Sequence, residues 1–192
     1  RLSGSLYLKG FGDPSLVNEE LWILVRTLKR RGLREVRGDI VVDDRYFDGE
    51  RFVPGTNGGR GLRPFQAPHG AASLNFNTLG VYVEPNAVIG KPPRAVVEPV
   101  SSYIQLINNA NTVSRRHKAH IRLRRAAHAD GDLIILEGRI PAGSPPRRFW
   151  INITTPTLYL GHTFREFLEW EGIKVNGEVR RGKTPPASRQ LA

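Results

Sequence analysis

The chain has 192 residues, 39% hydrophobic and 24% charged, which is globular composition with apolar material for one good core or two small ones and excludes a disordered chain. It contains no cysteine, which excludes disulfides, thiolate metal ligands and cysteine nucleophiles while leaving the compartment open. With 29 Lys and Arg against 18 Asp and Glu the net charge is +11, so the surface field favours an anionic partner: nucleic acid, an acidic membrane or an anionic polymer.

In chain order, Leu6-Tyr7-Leu8 followed by Gly10-Phe11-Gly12-Asp13-Pro14 reads as a short strand ending in a turn, with Asp13 as a helix N-cap and Pro14 at the first helical position. Val17, Leu21, Leu24, Val25 and Leu28 keep helical spacing. Glu19 and Glu20 sit near the start, Lys29, Arg30 and Arg31 near the end, and Gly32 supplies the stop. An apolar strand, Ile40-Val41-Val42, ends at Asp43-Asp44. The Gly- and Arg-rich stretch from Asp48 to Gly70 is too long for a plain connector.

Strand-like runs then follow at Leu79 to Val83, Arg94 to Val97, Ile104 to Ile107, His120 to Arg124, Leu133 to Leu136 and Arg148 to Ile153, with no helical stripe between them. A Pro-rich loop, Ile140 to Arg147, lies among them. The opening grammar returns late: Thr155 caps, Pro156 opens a helix, Phe164, Phe167 and Leu168 make its stripe, and Gly172 to Val179 follows. Two helix-then-strand units of one grammar predict that both ends of the chain build a single mixed sheet. The fold class predicted is therefore α+β. A small mixed α/β domain is built from residues 1–85 and 148–182, an all-β domain is inserted at 86–147, and residues 183–192 form a linker.

No run fits a phosphate-cradling loop, since Gly10-Phe11-Gly12-Asp13 lacks the later glycine and Gly182-Lys183-Thr184 is followed by prolines. The five histidines make no His-Glu-x-x-His pattern, so neither a metal nor a cofactor is expected. An activated serine needs a base, such as a lysine one helical turn later. No serine here has one, and Ser144 has only Arg147, which cannot accept a proton at neutral pH. Ser73-Leu74-Asn75 spells Ser-x-Asn, and a strand edge after a loop is the expected setting for it. Arg115-Arg116-His117-Lys118 begins a basic run that continues through Arg122, Arg124 and Arg125, and the alternation of Ile121 and Leu123 with Arg122 and Arg124 makes one solvated face of a strand. It has no nearby aromatics for base stacking, which argues against nucleic acid.

The order of these segments resembles the class C penicillin-binding proteins, the D-alanyl-D-alanine carboxypeptidase/endopeptidase family. The resemblance runs from Leu6-Tyr7-Leu8-Lys9-Gly10-Phe11-Gly12-Asp13-Pro14 through Gly38-Asp39-Ile40-Val41-Val42-Asp43 and Phe47. Ala67-Pro68, Ser73-Leu74-Asn75-Phe76-Asn77, Tyr103, Asn109 and Thr112 continue it, and Gly138-Arg139-Ile140-Pro141 and Gly172 to Gly177 complete it. In that family Ser-x-x-Lys precedes this region and the functional Ser-x-Asn and Lys-Thr-Gly motifs follow it. The resemblance thus implies the inserted middle of a serine-type, periplasmic peptidase, with no catalytic residue in this segment and residues 183–192 leading to the missing catalytic domain. The absence of Met fits a cut piece of a longer protein.

The partners implied are peptidoglycan stem peptides, and β-lactams through that missing domain. Nucleic acid is not expected, and no apolar run approaches the roughly 18 residues of a transmembrane segment. Asp43 matches a substrate-binding aspartate that takes the amino end of the stem-peptide side chain, with Phe47 walling the same pocket. Thr56 departs from the aromatic usual in the family after the Pro-Gly matching Pro54-Gly55. The alternative function is a non-catalytic basic module that binds anionic polymer, nucleic acid or cell wall.

Overall fold

The computed structural model describes residues 1–52, 61–128 and 131–192. Pro54, Gly55 and Thr56 lie outside the described residues. The fold is α+β, with strand β1 (Leu6–Lys9), helix α1 (Asn18–Arg30) and strands β2 (Glu35–Val36) and β3 (Ile40–Asp43) in the first flank. Strands β4 (Thr78–Glu84), β5 (Arg94–Glu98), β6 (Ile104–Val113), β7 (His120–His128), β8 (Gly131–Pro141) and β9 (Arg147–Asn152) fill the middle. Helix α2 (Pro156–Trp170) and strands β10 (Lys174–Val175) and β11 (Val179–Arg181) close the chain.

Both flanks share ladders, but the single mixed sheet of the sequence reading is two parallel ones. β3 lies between β1 and β11, β2 pairs with β10, and every one of these pairings is parallel. The cause is connectivity: strands reached through helical crossovers return in the same direction. All four residues of β3 are buried, as a central parallel strand covered on its faces requires. Helix α2 lies close on this sheet because Gly161 has no side chain. A Cβ there would come within 2.5 Å of Val179 Cγ1 and 2.9 Å of Val42 Cγ2.

Helix α1 starts later than predicted, at Asn18, with Val17 as its N-cap. Asp13 instead accepts the Ser15 backbone N–H at 2.8 Å and the Ser15 hydroxyl at 2.6 Å. A short Asx turn thus took the carboxylate that was expected to cap the helix. The rest of α1 follows its signals: Leu21, Val25 and Leu28 are buried, and Gly32 has φ +91°. In α2 Thr155 holds the N-cap position without a side-chain capping bond. Its N–H donates to the Tyr103 hydroxyl at 2.9 Å.

The middle strands form two three-stranded sheets, ordered β5-β4-β9, all antiparallel, and β6-β8-β7, where β6 runs parallel and β7 antiparallel to β8. The first of these ladders joins residues on both sides of position 86. β6 outruns its predicted stretch because Asn108, Asn109 and Asn111 read as loop by type, yet they continue the inward and outward alternation of a strand.

A buried polar knot ties these sheets to α2. Asp132 accepts the Thr154 hydroxyl at 2.5 Å and its N–H at 2.9 Å, and Thr154 Oγ1 lies 2.8 Å from the Tyr103 hydroxyl. Arg125 supplies the countercharge. It lies 3.5 Å from Asp132, donates to Asn152 O at 2.9 Å and reaches Gly61 O at 3.2 Å. The sequence reading counted Arg125 in the basic run without placing it on the solvated face. Strand alternation turns it inward with Ile121 and Leu123, and leaves Arg122 and Arg124 outside as their alternation in the sequence predicts. Burial, then the nearby Asp132 charge, raises the Tyr103 hydroxyl above its ordinary pKa.

Candidate functional site

The C-terminal ends of β1, β3 and β11 fall on one edge, the edge where open parallel sheets place their ligand crevices. A cavity of about 410 Å³ opens there, lined among others by Asp44, Arg45, Arg51, Thr157, Arg181 and Lys183. Each lining residue has a local origin. Asp44 and Arg45 follow the end of β3, Thr157 stands in the first turn of α2, and Arg181 and Lys183 end β11 and begin the segment after it.

Asp44 organises the wall. One carboxylate oxygen accepts the Ala72 N–H at 2.7 Å. The other accepts the Thr157 hydroxyl at 3.0 Å and lies 2.7 Å from Arg51 Nη2. A buried carboxylate with two donors and a countercharge is well satisfied, so it fixes β3, the 70–72 turn and α2 to one another. Sequence reasoning missed this residue's role. The Asp43-Asp44 doublet was visible, but its partners lie 28 and 113 positions away.

Asp43 sits between Val42 and Asp44, points to the other side of the strand, and is not among the cavity-lining residues. It is buried, at 4% exposure. Arg45 donates to it from Nε at 3.0 Å and from Nη2 at 3.3 Å, and the Thr184 N–H donates at 2.8 Å. Burial pushes the Asp43 carboxyl up, but the hydrogen bonds from Arg45 and Thr184 outweigh it and hold the pKa at about 2. Asp43 therefore meets the cavity only through Arg45. Arg181 and Lys183, by contrast, have no carboxylate partner among the described residues. The cavity wall therefore carries more cationic than anionic charge.

Phe47 has a different setting from the buried Asp43. It is 51% exposed and belongs to an edge-packed row with Tyr46 at 5.3 Å, while Tyr46 packs on Phe11 at 5.4 Å. Gly12, at φ +83°, makes room for the Phe47 ring, which a Cβ there would overlap. The structure thus brings Phe47 to an exposed aromatic row that the sequence reading did not assemble.

Ser73 is held in a turn. Its hydroxyl donates to Gly70 O at 3.0 Å and accepts from Asn77 Nδ2 at 3.0 Å. The three residues Asn75, Phe76 and Asn77 all have φ near +50°, an arrangement anchored where Asn75 Nδ2 donates to Asn18 at 2.8 Å. This is local architecture rather than an activated hydroxyl. Two other serines meet imidazoles: Ser102 Oγ lies 2.9 Å from His162 Nδ1, and Ser114 Oγ lies 3.0 Å from His117 Nδ1. The first pair clamps its turn to α2, since the Ser102 N–H also donates to Glu166 at 3.2 Å. Among the described residues no cluster of three or more His, Asp or Glu could hold a metal ion, and no helix is long and apolar enough to cross a membrane.

A family model described as the D-Ala-D-Ala carboxypeptidase 3 (S13) family matches residues 1–192. The D-alanyl-D-alanine carboxypeptidase of Actinomadura sp. (strain R39) is 31% identical over 186 residues, 94% of this chain and 34% of that protein. The D-alanyl-D-alanine carboxypeptidase DacB of Haemophilus influenzae is 23% identical over 194 residues, covering 100% of this chain and 40% of that protein. The crystal structure of penicillin binding protein 4 (dacB) from Haemophilus influenzae superposes on 98% of this chain and 41% of its own, with a TM-score of 0.74 at 21% identity. The same protein complexed with a β-lactam gives a TM-score of 0.63 at 21% identity, over 98% of this chain and 38% of its own. The chain thus spans 34–40% of the length of the curated relatives it matches.

Proposed function

Because the chain belongs to the D-Ala-D-Ala carboxypeptidase 3 (S13) family, we propose that it forms the inserted accessory region of a serine-type, periplasmic D-Ala-D-Ala carboxypeptidase/endopeptidase acting on peptidoglycan stem peptides. The nucleophile and its base come from another part of that enzyme, which is also where β-lactams bind. The same reading divides the chain into an α/β part, 1–85 with 148–182, an inserted all-β part, 86–147, and a linker, 183–192. A direct check uses fluorescent penicillin. The chain alone gives no covalent band on denaturing electrophoresis, and a stoichiometric label on any serine would refute the missing nucleophile.

The observation that supports a substrate role is the buried acidic end of β3, whose partner Arg45 lines the cavity at the edge where open parallel sheets place their ligand crevices. In this reading Asp43 takes the free side-chain amine of the stem peptide, and Phe47 walls the approach to it. The ammonium replaces the Arg45 fork, whose side chain is 54% exposed and free to swing aside, while the Thr184 N–H keeps the carboxylate in place. A charge-assisted bond of this kind is worth about 1.5–3 kcal/mol.

The Arg45 and Thr184 bonds also favour a second reading, in which Asp43 is a latch between β3 and the segment after β11. Asp43→Asn in the full-length enzyme separates the two. A recognition role predicts a loss of roughly 10- to 100-fold in kcat/KM on stem peptides with a free side-chain amine, at about 1.4 kcal/mol per factor of ten. Peptides whose amine is acetylated change little, as does penicillin acylation. A latch predicts equal losses on both peptides together with a lower Tm.

A further inference from the structure

The sheet β6-β8-β7 has an outer face that nothing in the proposed reaction uses. In β6 alternate residues point outward and are exposed, among them Asn109 and Asn111, while Ala110 and Thr112 are buried beneath. Cross-strand register sets Asn111, Arg139 and His120 in one row and Asn109, Glu137 and Arg122 in the next. Glu137 is the one carboxylate in these rows, and it is already engaged by two nitrogens of Arg124. Among the described residues Asn109, Asn111, Arg122 and Arg139 make no side-chain hydrogen bond. The connection from β6 to β7 brings three further cations, Arg115, Arg116 and Lys118, to the same end of the sheet.

We infer that this face is a binding surface for a carboxylate-bearing, N-acetylated glycan strand. A ten-residue strand gives the face a length of about 33 Å, and three strands make it about 10 Å wide, an open track for an extended polymer. The guanidiniums of Arg122 and Arg139 match carboxylates with two parallel hydrogen bonds. The amides of Asn109 and Asn111 offer donor and acceptor together, the complement of sugar hydroxyls and acetamido groups. Nucleic acid fits less well. β6, β7 and β8 contain no Phe, Tyr or Trp, so bases find no stacking platform. The choice of a cell-wall glycan rests on the function proposed above, whereas the charge and amide pattern does not.

The test is co-sedimentation of the 192-residue chain with purified peptidoglycan sacculi, alongside sacculi whose carboxyls have been amidated and a mixed-sequence DNA duplex. The double change Arg122→Glu with Arg139→Glu is expected to weaken sacculus binding at least tenfold. Arg122→Lys with Arg139→Lys keeps the charge but removes the forks, and weakens binding about threefold without any question of misfolding. Asn109→Ala with Asn111→Ala weakens binding to sacculi at least threefold and leaves DNA binding unchanged. Amidated sacculi bind as poorly as the Glu variant. Sacculus binding that survives the Glu pair or the amidation overturns the inference. So does DNA bound more tightly than sacculi at physiological salt, which would assign the face to nucleic acid. Soluble stem peptides report on Asp43 and do not require this face, so either proposal can fail without the other.

Discussion

Arginine does opposite work in two settings of this molecule. Around the parallel sheet and in the Asp132 knot, Arg45, Arg51 and Arg125 each meet a carboxylate that is less than a tenth exposed: Asp43, Asp44 and Asp132. On β6-β8-β7, Arg122 and Arg139 stand in solvent and only Glu137 answers them, with Arg124 already upon it. A net charge of +11 therefore says little by itself. The cations that meet a buried acid hold backbone segments together, whereas those on the open face are presented outward. What decides the role is the distance to a buried acid, which for Arg122 and Arg125 is set by their parity in β7.

The largest test of this contrast is Arg125→Leu against Arg122→Leu. Removing Arg125 leaves Asp132 buried without its countercharge and strips donors from Asn152 O and Gly61 O. Loss of one partner of a buried pair costs about 3–5 kcal/mol, read as a fall in the urea midpoint. Arg122→Leu leaves that midpoint unchanged. Equal effects would erase the distinction between a structural and a presented arginine.

Asp44→Asn is the next step down. The amide keeps one acceptor oxygen but cannot serve the Ala72 N–H, the Thr157 hydroxyl and Arg51 together. One or two buried donors lose their partner, at about 1–3 kcal/mol. Hydrogen exchange localises the damage, with faster exchange at Ala72 and the start of α2 and no change in β6-β8-β7. Uniform acceleration throughout the chain would show that the wall of the cavity is not a separate unit.

The legible part of the fold was its repeated local grammar. Apolar spacing at Val17 to Leu28 and Phe164 to Leu168, the Gly32 stop and the apolar run before Asp43 each depend on neighbours in sequence, and each appears in the structure. The start of α1 was misread because Asp13 serves a cap or an Asx turn equally well, and Ser15 two residues on decided it. The alternation that puts Arg122 and Arg124 in solvent was legible, but that Arg125 turns inward to meet Asp132 was not, because its partner lies on the next strand. The site was legible only as a position, the acidic end of β3. Which of Asp43 and Asp44 faces the cavity, and that Thr157 and Arg51 complete it, depends on long-range packing that no local pattern encodes.

The smallest expected effect isolates Asp43 from Asp44. Hydrogen bonds from Arg45 and Thr184 hold the folded Asp43 at about 2, below the roughly 3.9 of an unfolded aspartate. A depressed folded pKa means that the unfolded chain binds the proton first. The stabilisation from Asp43 is therefore complete above about pH 4 and is lost as pH falls toward about 2. Urea midpoints measured at intervals between those pH values should decline less steeply for Asp43→Asn than for the parent chain. Arg45→Ala removes the side-chain donors but spares the Thr184 N–H, so it should give an intermediate slope. A slope unchanged by Asp43→Asn would mean that the carboxylate is not held in the folded chain. The Arg45 fork would then be too loose to matter, and Asp43 would be open to an incoming ammonium without having to exchange partners.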